Sequence, residues 1–136
     1  MSKHTCPFCR FVLAGLDRPL LMETPHVVAF EDAYPSAPGH TLIIPRRHIG
    51  RLCELTENEY SDLWTVAKQQ IQRLEKTNPD AYTIGVNDGE AAGQTIAHVH
   101  LHVIPRRVGD TAEAKGGIRW AVRETAAYWE TRTTED

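Results

Sequence analysis

No apolar run in these 136 residues approaches the roughly 20 that a membrane-spanning helix needs, so no membrane partner is expected. Positive charge is not in excess. Fifteen Lys and Arg stand against eighteen Asp and Glu, a net charge of -3. That excludes a domain that grips nucleic acid by bulk charge, and no nucleic-acid partner is expected. Cysteine is scarce and odd in number, three in all, which excludes a disulfide framework and makes a reducing cytoplasm the expected location. The opening residues, MSKHTCPFCRF, lack the charged and then apolar regions of a signal peptide. There is no repeat of solenoid length and no low-complexity segment. What remains is an ordinary globular composition, 41% apolar and 24% charged, at a length that fits one domain over 1–136 with a C-terminal extension from about residue 109. Histidine is the exception. There are seven, and His98, His100 and His102 fall within five residues.

The pattern of elements reads as α+β. Cys9 to Ala14 is expected to form a short helix ending near Gly15. Leu20 to Thr24, His26 to Glu31 and His40 to Ile44 read as strands, with the loop YPSAPG before the third. Glu57 to Lys76 is the best helix. Thr56 and Glu59 form a capping box, and Tyr60, Leu63, Trp64, Ala67, Ile71 and Leu74 fall on one face of a 3.6-residue period. Asn78-Pro79 should stop it. Tyr82 to Val86 and His98 to Ile104 read as further strands. The fold class expected is therefore a mostly antiparallel five-stranded sheet with the long helix packed on it. HTLIIPRRH (40–48) and HLHVIPRRV (100–108) both run into Pro-Arg-Arg. Each Pro should end its strand or sit at an edge. Arg46, Arg47, Arg106 and Arg107 would follow the strand ends, where they could attract a polyphosphate. Beyond Gly109, Ile118, Trp120, Val122, Tyr128 and Trp129 imply some packing, and the tail after Glu130 should be loose. Cys53 reads as a small buried apolar residue.

In HVHLHVI the three histidines alternate with Val99, Leu101 and Val103, so they should share one face of a strand. One metal taking all three is disfavoured, because at about 3.3 Å per residue the outer Cα atoms are roughly 13 Å apart. One or two of them could still bind a metal with help from elsewhere. Upstream, NDGEAAGQT (87–95) is a Gly-rich loop whose exposed N–H groups could form an anion nest. Such a loop running into a row of imidazoles suggests nucleophilic attack on phosphorus, since a neutral imidazole is competent near pH 7. Cys6-Pro-Phe-Cys9 has metal-ligand spacing but supplies only two ligands, and a redox-active dithiol is the competing reading.

GQTIAHVHLHVIPRR (93–107) resembles the signature of the histidine triad (HIT) family of nucleotide hydrolases and transferases, His-φ-His-φ-His-φ-φ with φ apolar. VVAFEDAYPSAPGHTLIIPRRHI (27–49) is similar to the family's first block, and with the helix between them the resemblance covers roughly residues 6 to 107. It implies a nucleotide hydrolase, with dinucleoside polyphosphates favoured and phosphoramidates open, cleaving at the α-phosphate through a nucleotidyl-histidine. His100 would be the nucleophile and His102 would hold a phosphate oxygen or fix the His100 ring. Gln94 and Thr95 would contact phosphate or the leaving-group oxygen. Asp32 would accept from the ribose hydroxyls, His40, Asn87 and Gly93 would lie near the phosphates, and Phe8 and Phe30 would wall an adenine pocket. The Cys-x-x-Cys start implies a structural zinc on Cys6, Cys9, His48 and His98. Family members are commonly homodimers, with the long helix and a central strand at the interface. The alternative is a zinc-stabilised nucleotide-binding or partner-binding module with little turnover.

Overall fold

The structure is a computed structural model, and it describes residues 2, 4–14 and 18–131. The expected end of the first helix at Gly15, and the tail from 132 onward, lie outside these residues. By backbone proximity the chain forms two compact units, Met1–Arg106 and Arg107–Asp136.

The first unit carries the sheet. Strands β1 (Met22–Glu23), β2 (Val27–Glu31), β3 (Thr41–Pro45), β4 (Ala81–Val86) and β5 (Leu101–Arg106) form one sheet in the order β1-β2-β3-β5-β4. Every pairing is antiparallel. All of β3, and β2 up to Phe30, are buried, because the sheet is covered on both faces. Helix α1 (Pro7–Ala14) begins two residues earlier than expected, with Pro7 at its first position, where a missing N–H costs nothing. Helix α2 (Glu57–Leu74) continues as a 3-10 turn to Thr77 and stops at Asn78, which is left-handed at φ 55°.

The strand period of two sorts the side chains between the covers. Val27, Ala29, Ile43, Val99, Leu101 and Val103 pack with Leu63, Val66, Ala67 and Leu74 of α2. On the other face Val28, Phe30, Leu42 and Ile44 pack with Cys6, Phe8, Cys9 and Phe11. Register decides what lies beside what. Phe30 pairs with Leu42, Leu42 with His102, and His102 with Gly85, so one row crosses the α1 face of the sheet and ends where there is no side chain. Pro45 ends β3 as expected. Pro105 lies inside β5 but opposite Tyr82 of β4, beyond the stretch of β5 that pairs with β3, so its missing N–H leaves no gap in that ladder.

Several expectations are corrected. Strand β5 starts at Leu101, so His98 and His100 precede it. The Val99 N–H bonds instead to the Ile49 carbonyl at 2.7 Å. The buried face of α2 is Glu59, Leu63, Val66, Ala67, Gln70 and Leu74. Tyr60 and Trp64 are 50% and 41% exposed and form an edge-on ring pair. The helix turns this way because Glu59 is drawn in by Arg47, which it meets at 2.8 Å. Cys53 is exposed, since it lies in a surface 3-10 turn, Leu52–Glu54. In the second unit Trp120 and Trp129 gather around Lys115 and Gly116, yet Ile118, Val122 and Tyr128 remain exposed.

The capping box at the start of α2 is complete. The Glu59 N–H donates to Thr56 Oγ1 at 3.1 Å and the Thr56 N–H to Glu59 Oε1 at 2.8 Å. Thr56→Ala should lower the unfolding free energy by about 0.5–2 kcal/mol in urea titration, with the slope unchanged.

Candidate active site and metal centre

Two groups of side chains converge on the α1 face of the sheet. The first is built at the start of α1, where Cys6 just precedes the helix and Cys9 lies in its first turn, three residues on. Both sulfurs lie 3.5 Å from Nδ1 of His98, and the Cys9 Sγ lies 3.1 Å from Nδ1 of His48. One ligand atom from each of the four lies within 4.8 Å of all the others. The tautomer suits a metal. His98 Nε2 meets the Pro45 carbonyl at 2.8 Å, and a carbonyl only accepts, so Nε2 carries the hydrogen and Nδ1 keeps its lone pair toward the thiols. Burial pushes the His98 pKa down to about 4, which keeps the ring neutral, as a ligand must be. Two thiols and two imidazoles turned inward make a complete four-ligand set for a soft or borderline cation. They also face histidine nitrogens, which is the arrangement of a metal site rather than of an exposed redox pair.

The second group surrounds His100. Its Nδ1 donates to the carbonyl of His98 at 2.8 Å, so the lone pair of the neutral ring is on Nε2. His100 and His102 line an open cavity of about 460 Å³ with Phe8, Phe30, Asp32 and Thr95. The rings of His98 and His100 both lean edge-on against Phe8, and His100 contacts His102 at 5.0 Å between centroids. The three histidines therefore share one face, although only His102 belongs to β5.

The state of His102 follows from a chain of bonds. The Ser36 N–H donates to Nδ1 of His40 at 3.0 Å, so the hydrogen of His40 sits on Nε2. That N–H faces Nδ1 of His102 at 2.9 Å, closer than the Asp32 carboxylate at 3.6 Å. His102 is thereby left with its hydrogen on Nε2, a buried donor with no partner among the described residues. A buried orphan donor costs free energy unless something accepts from it, and the His102 ring packs against that of His100. Asp32, His40 and His102 are also close enough to hold a cation. The tautomer forbids it, because His40 Nε2 bears a hydrogen.

The other expected site residues divide. Asp32 lies at the cavity and also holds the turn that follows it. One oxygen caps the turn by accepting from the Tyr34 N–H at 2.9 Å, and the other faces His40 at the cavity. Thr95 is exposed at the cavity edge. The Gln94 amide is engaged by its own loop and by the Gly50 segment. It accepts from the Gly89 N–H at 2.7 Å and donates to the Gly50 and Ile96 carbonyls at 3.1 and 3.0 Å. Its role in this structure is to hold the loop. The anion nest is corrected. The N–H groups of Ala92, Gly93 and Gln94 all donate to carbonyls within the loop. Gly93, at φ 94°, makes the turn that leads back to the histidines. Asn87 is exposed at the end of β4 and is not among the residues lining the cavity. The arginines do not gather there. Arg46 pairs with Glu23, Arg47 with Glu59, and Arg106 donates to Thr83. Sequence reasoning missed Arg10 and Arg18 at the cavity, for which the sequence carries no periodic signal.

Comparison with known proteins agrees with this geometry. The chain belongs to the HIT domain family, whose model matches residues 16–109. It is 37% identical over 112 residues to an uncharacterized HIT-like protein of Methanocaldococcus jannaschii, covering 82% of this chain and 87% of that one. It is 40% identical over 108 residues to a bifunctional bis(5′-adenosyl)-triphosphatase/adenylylsulfatase of Arabidopsis thaliana, covering 78% of this chain and 60% of that one. With the adenosine 5′-monophosphoramidase of Saccharomyces cerevisiae it shares 33% identity over 122 residues, 88% of this chain and 72% of that one. Among solved structures, a zinc-bound histidine triad family protein from Mycobacterium smegmatis superimposes with a TM-score of 0.73 at 28% identity, covering 96% and 99% of the two chains.

Burial, followed by the neighbouring His100 and His40, pushes the His102 pKa down from 6.5 to about 4. Between those values the unfolded chain binds a proton that the folded chain refuses, so stability should fall as pH drops from about 6.5 toward 4. His102→Asn places an amide near the Nδ1 position and cannot take up that proton. Thermal melts across this range should show a shallower acid slope for the variant than for the wild type, and equal slopes would assign the acid loss to other groups.

Proposed function

We propose that this protein hydrolyses nucleoside 5′-phosphoryl compounds at the α-phosphorus through a nucleotidyl intermediate on His100. The observation that carries the reading is the 2.8 Å bond from His100 Nδ1 to the His98 carbonyl, which puts the lone pair on Nε2 of a ring lining the cavity. A nucleophile so prepared needs no separate base. Attack forms an Nε2–P bond and breaks the bond from phosphorus to the leaving group, which departs with the electron pair. The positive charge on the ring is met by the carbonyl at Nδ1. The Nε2–H of His102 is the donor for a phosphoryl or leaving-group oxygen, and a donor already in place stabilises charge as it develops. Water then attacks phosphorus, the P–N bond breaks, and the nucleoside monophosphate leaves.

Asp32 receives the ribose hydroxyls on the oxygen not used by the turn, since a carboxylate offers only acceptors to a diol. Phe8, Phe30 and Leu42 form the apolar bed for the base, adenine in the named relatives. Those relatives include a triphosphatase and a phosphoramidase, so dinucleoside polyphosphates and phosphoramidates are the two substrate classes to assay. The paired arginines weaken the argument for a polyphosphate chain. Zinc is the metal that we assign to Cys6, Cys9, His48 and His98. Its part is structural, tying α1 to the segments after β3 and before β5. We also infer a cytoplasmic homodimer, supported by Tyr60 and Trp64 on the outer face of α2 and by uncrosslinked thiols.

Two outcomes test the reading. His100→Asn should lose several orders of magnitude in turnover while retaining nucleotide affinity. A substrate chiral at the α-phosphorus, hydrolysed in isotopic water, should react with net retention. Inversion, or near-normal turnover by His100→Asn, would sink the mechanism. For the metal, protein purified without added metal should carry about one zinc per chain by elemental analysis. Cys6→Ser should lose that zinc and melt earlier, while the chemical step per folded molecule changes little.

A further inference from the structure

The cavity beside His100 has an aromatic bed and an open side. Phe30 meets Phe8 at 5.7 Å and Phe11 at 4.3 Å between centroids, and all three rings line the cavity. Such a bed covers one face of a planar base. The loop after β2 adds Asp32, Ala33 and Tyr34 to the lining. Tyr34 is the anomaly. It is 90% exposed, and its phenol meets no ring or hydrogen-bond partner among the described residues. Its backbone, by contrast, is held. The Tyr34 N–H donates to Asp32 Oδ1 at 2.9 Å, the Asp32 N–H to the His40 carbonyl at 2.9 Å, and the Ser36 N–H to His40 Nδ1 at 3.0 Å. Pro35 and Pro38 fix two further φ angles in the same loop. A braced loop thus keeps an aromatic ring in water at the edge of the cavity.

We propose that Tyr34 stacks on the face of the base left free by the aromatic bed, and so completes the nucleoside site. The inference rests on the reading above, in which Asp32 holds the ribose and the base lies on Phe8, Phe30 and Leu42. Asp32 and Tyr34 belong to one turn, so a ribose at Asp32 sets the base beside the loop that carries the phenol ring. Ala33, the residue between them, is too small to cover a base. Only the two side-chain torsions of Tyr34 need fixing on binding, because its backbone is already held, and that keeps the ordering cost low. Stacking then removes from water both an apolar ring and a base face that otherwise stay wet. It needs no hydrogen bond, so the hydroxyl is dispensable.

The experiment uses the full chain and measures affinities for AMP and for ribose 5-phosphate, which lacks the base. Tyr34→Ala should weaken AMP binding about tenfold, the scale of one lost stacking contact, and leave ribose 5-phosphate within about twofold of wild type. Tyr34→Phe should keep AMP affinity within about twofold, since the ring face is retained. The KM for adenosine 5′-phosphoramidate should follow AMP affinity across these proteins. In the wild-type complex, nuclear Overhauser effects should run from the Tyr34 ring protons to H2 or H8 of AMP, a readout that involves no variant. Unchanged AMP affinity in Tyr34→Ala overturns the proposal. Equal losses for AMP and ribose 5-phosphate, or Overhauser effects to ribose protons alone, place the ring on the sugar and overturn it too. If the phosphoramidate is not hydrolysed while AMP affinity depends on Tyr34 in the expected way, the catalytic reading fails and the stacking reading stands. If hydrolysis proceeds but Tyr34→Ala binds AMP like wild type, the stacking reading fails alone.

Discussion

The site depends on a single residue, His98. Its Nε2 donates to the Pro45 carbonyl at the end of β3, its Nδ1 points at the two thiols at the start of α1, and its own carbonyl accepts from Nδ1 of His100. Three parts of the chain are tied through one imidazole and its peptide group. Because the residue is fully buried, none of these bonds has water as a substitute. The ring of His98 faces the thiols, while its peptide carbonyl fixes the ring of His100.

A second chain of fixed tautomers runs in from the other side. The Ser36 N–H decides His40, and His40 decides His102. The two chains leave a lone pair on Nε2 of His100, whose ring lines the cavity, and a buried hydrogen on Nε2 of His102 that meets no acceptor among the described residues. Such asymmetry is what a phosphoryl group requires, with one nitrogen to attack phosphorus and another to hold an oxygen. Burial reinforces it. It lowers the pKa of His40 despite the nearby Asp32 carboxylate, and that of His102 further, so both rings stay neutral and directional near pH 7.

The fold supplies rigidity for this by covering the sheet on both faces. Valine, leucine and alanine side chains of the odd positions lie under α2, and the alternate residues meet α1. The row Phe30, Leu42, His102, Gly85 is a consequence of strand register alone. A slip of one residue in β5 would exchange His102 with Leu101 or Val103 and disturb both the core and the site together. The same alternation thus secures stability and chemistry.

Much of this was legible from local pattern, because local pattern has a short-range physical cause. The period-two histidines had to share a face, Thr56 and Glu59 had to cap a helix, and Cys6 and Cys9 stood at metal-ligand spacing. Long-range pairing was not legible. That Arg46 and Arg47 would be neutralised by Glu23 and Glu59 turns on contacts between elements, and so does the outward turn of Tyr60 and Trp64. The Gln94 amide and the loop N–H groups suited a phosphate by their chemistry. The loop folded on itself and used them, because a hydrogen bond within the protein satisfies a donor as well as a ligand does. Sequence by itself determined the faces and the caps, and its resemblance to the family singled out the residues proposed as nucleophile and metal ligands. Only tertiary structure decided which nitrogen bears each hydrogen and which cation stands at the cavity, since both depend on groups brought together from far apart in the chain.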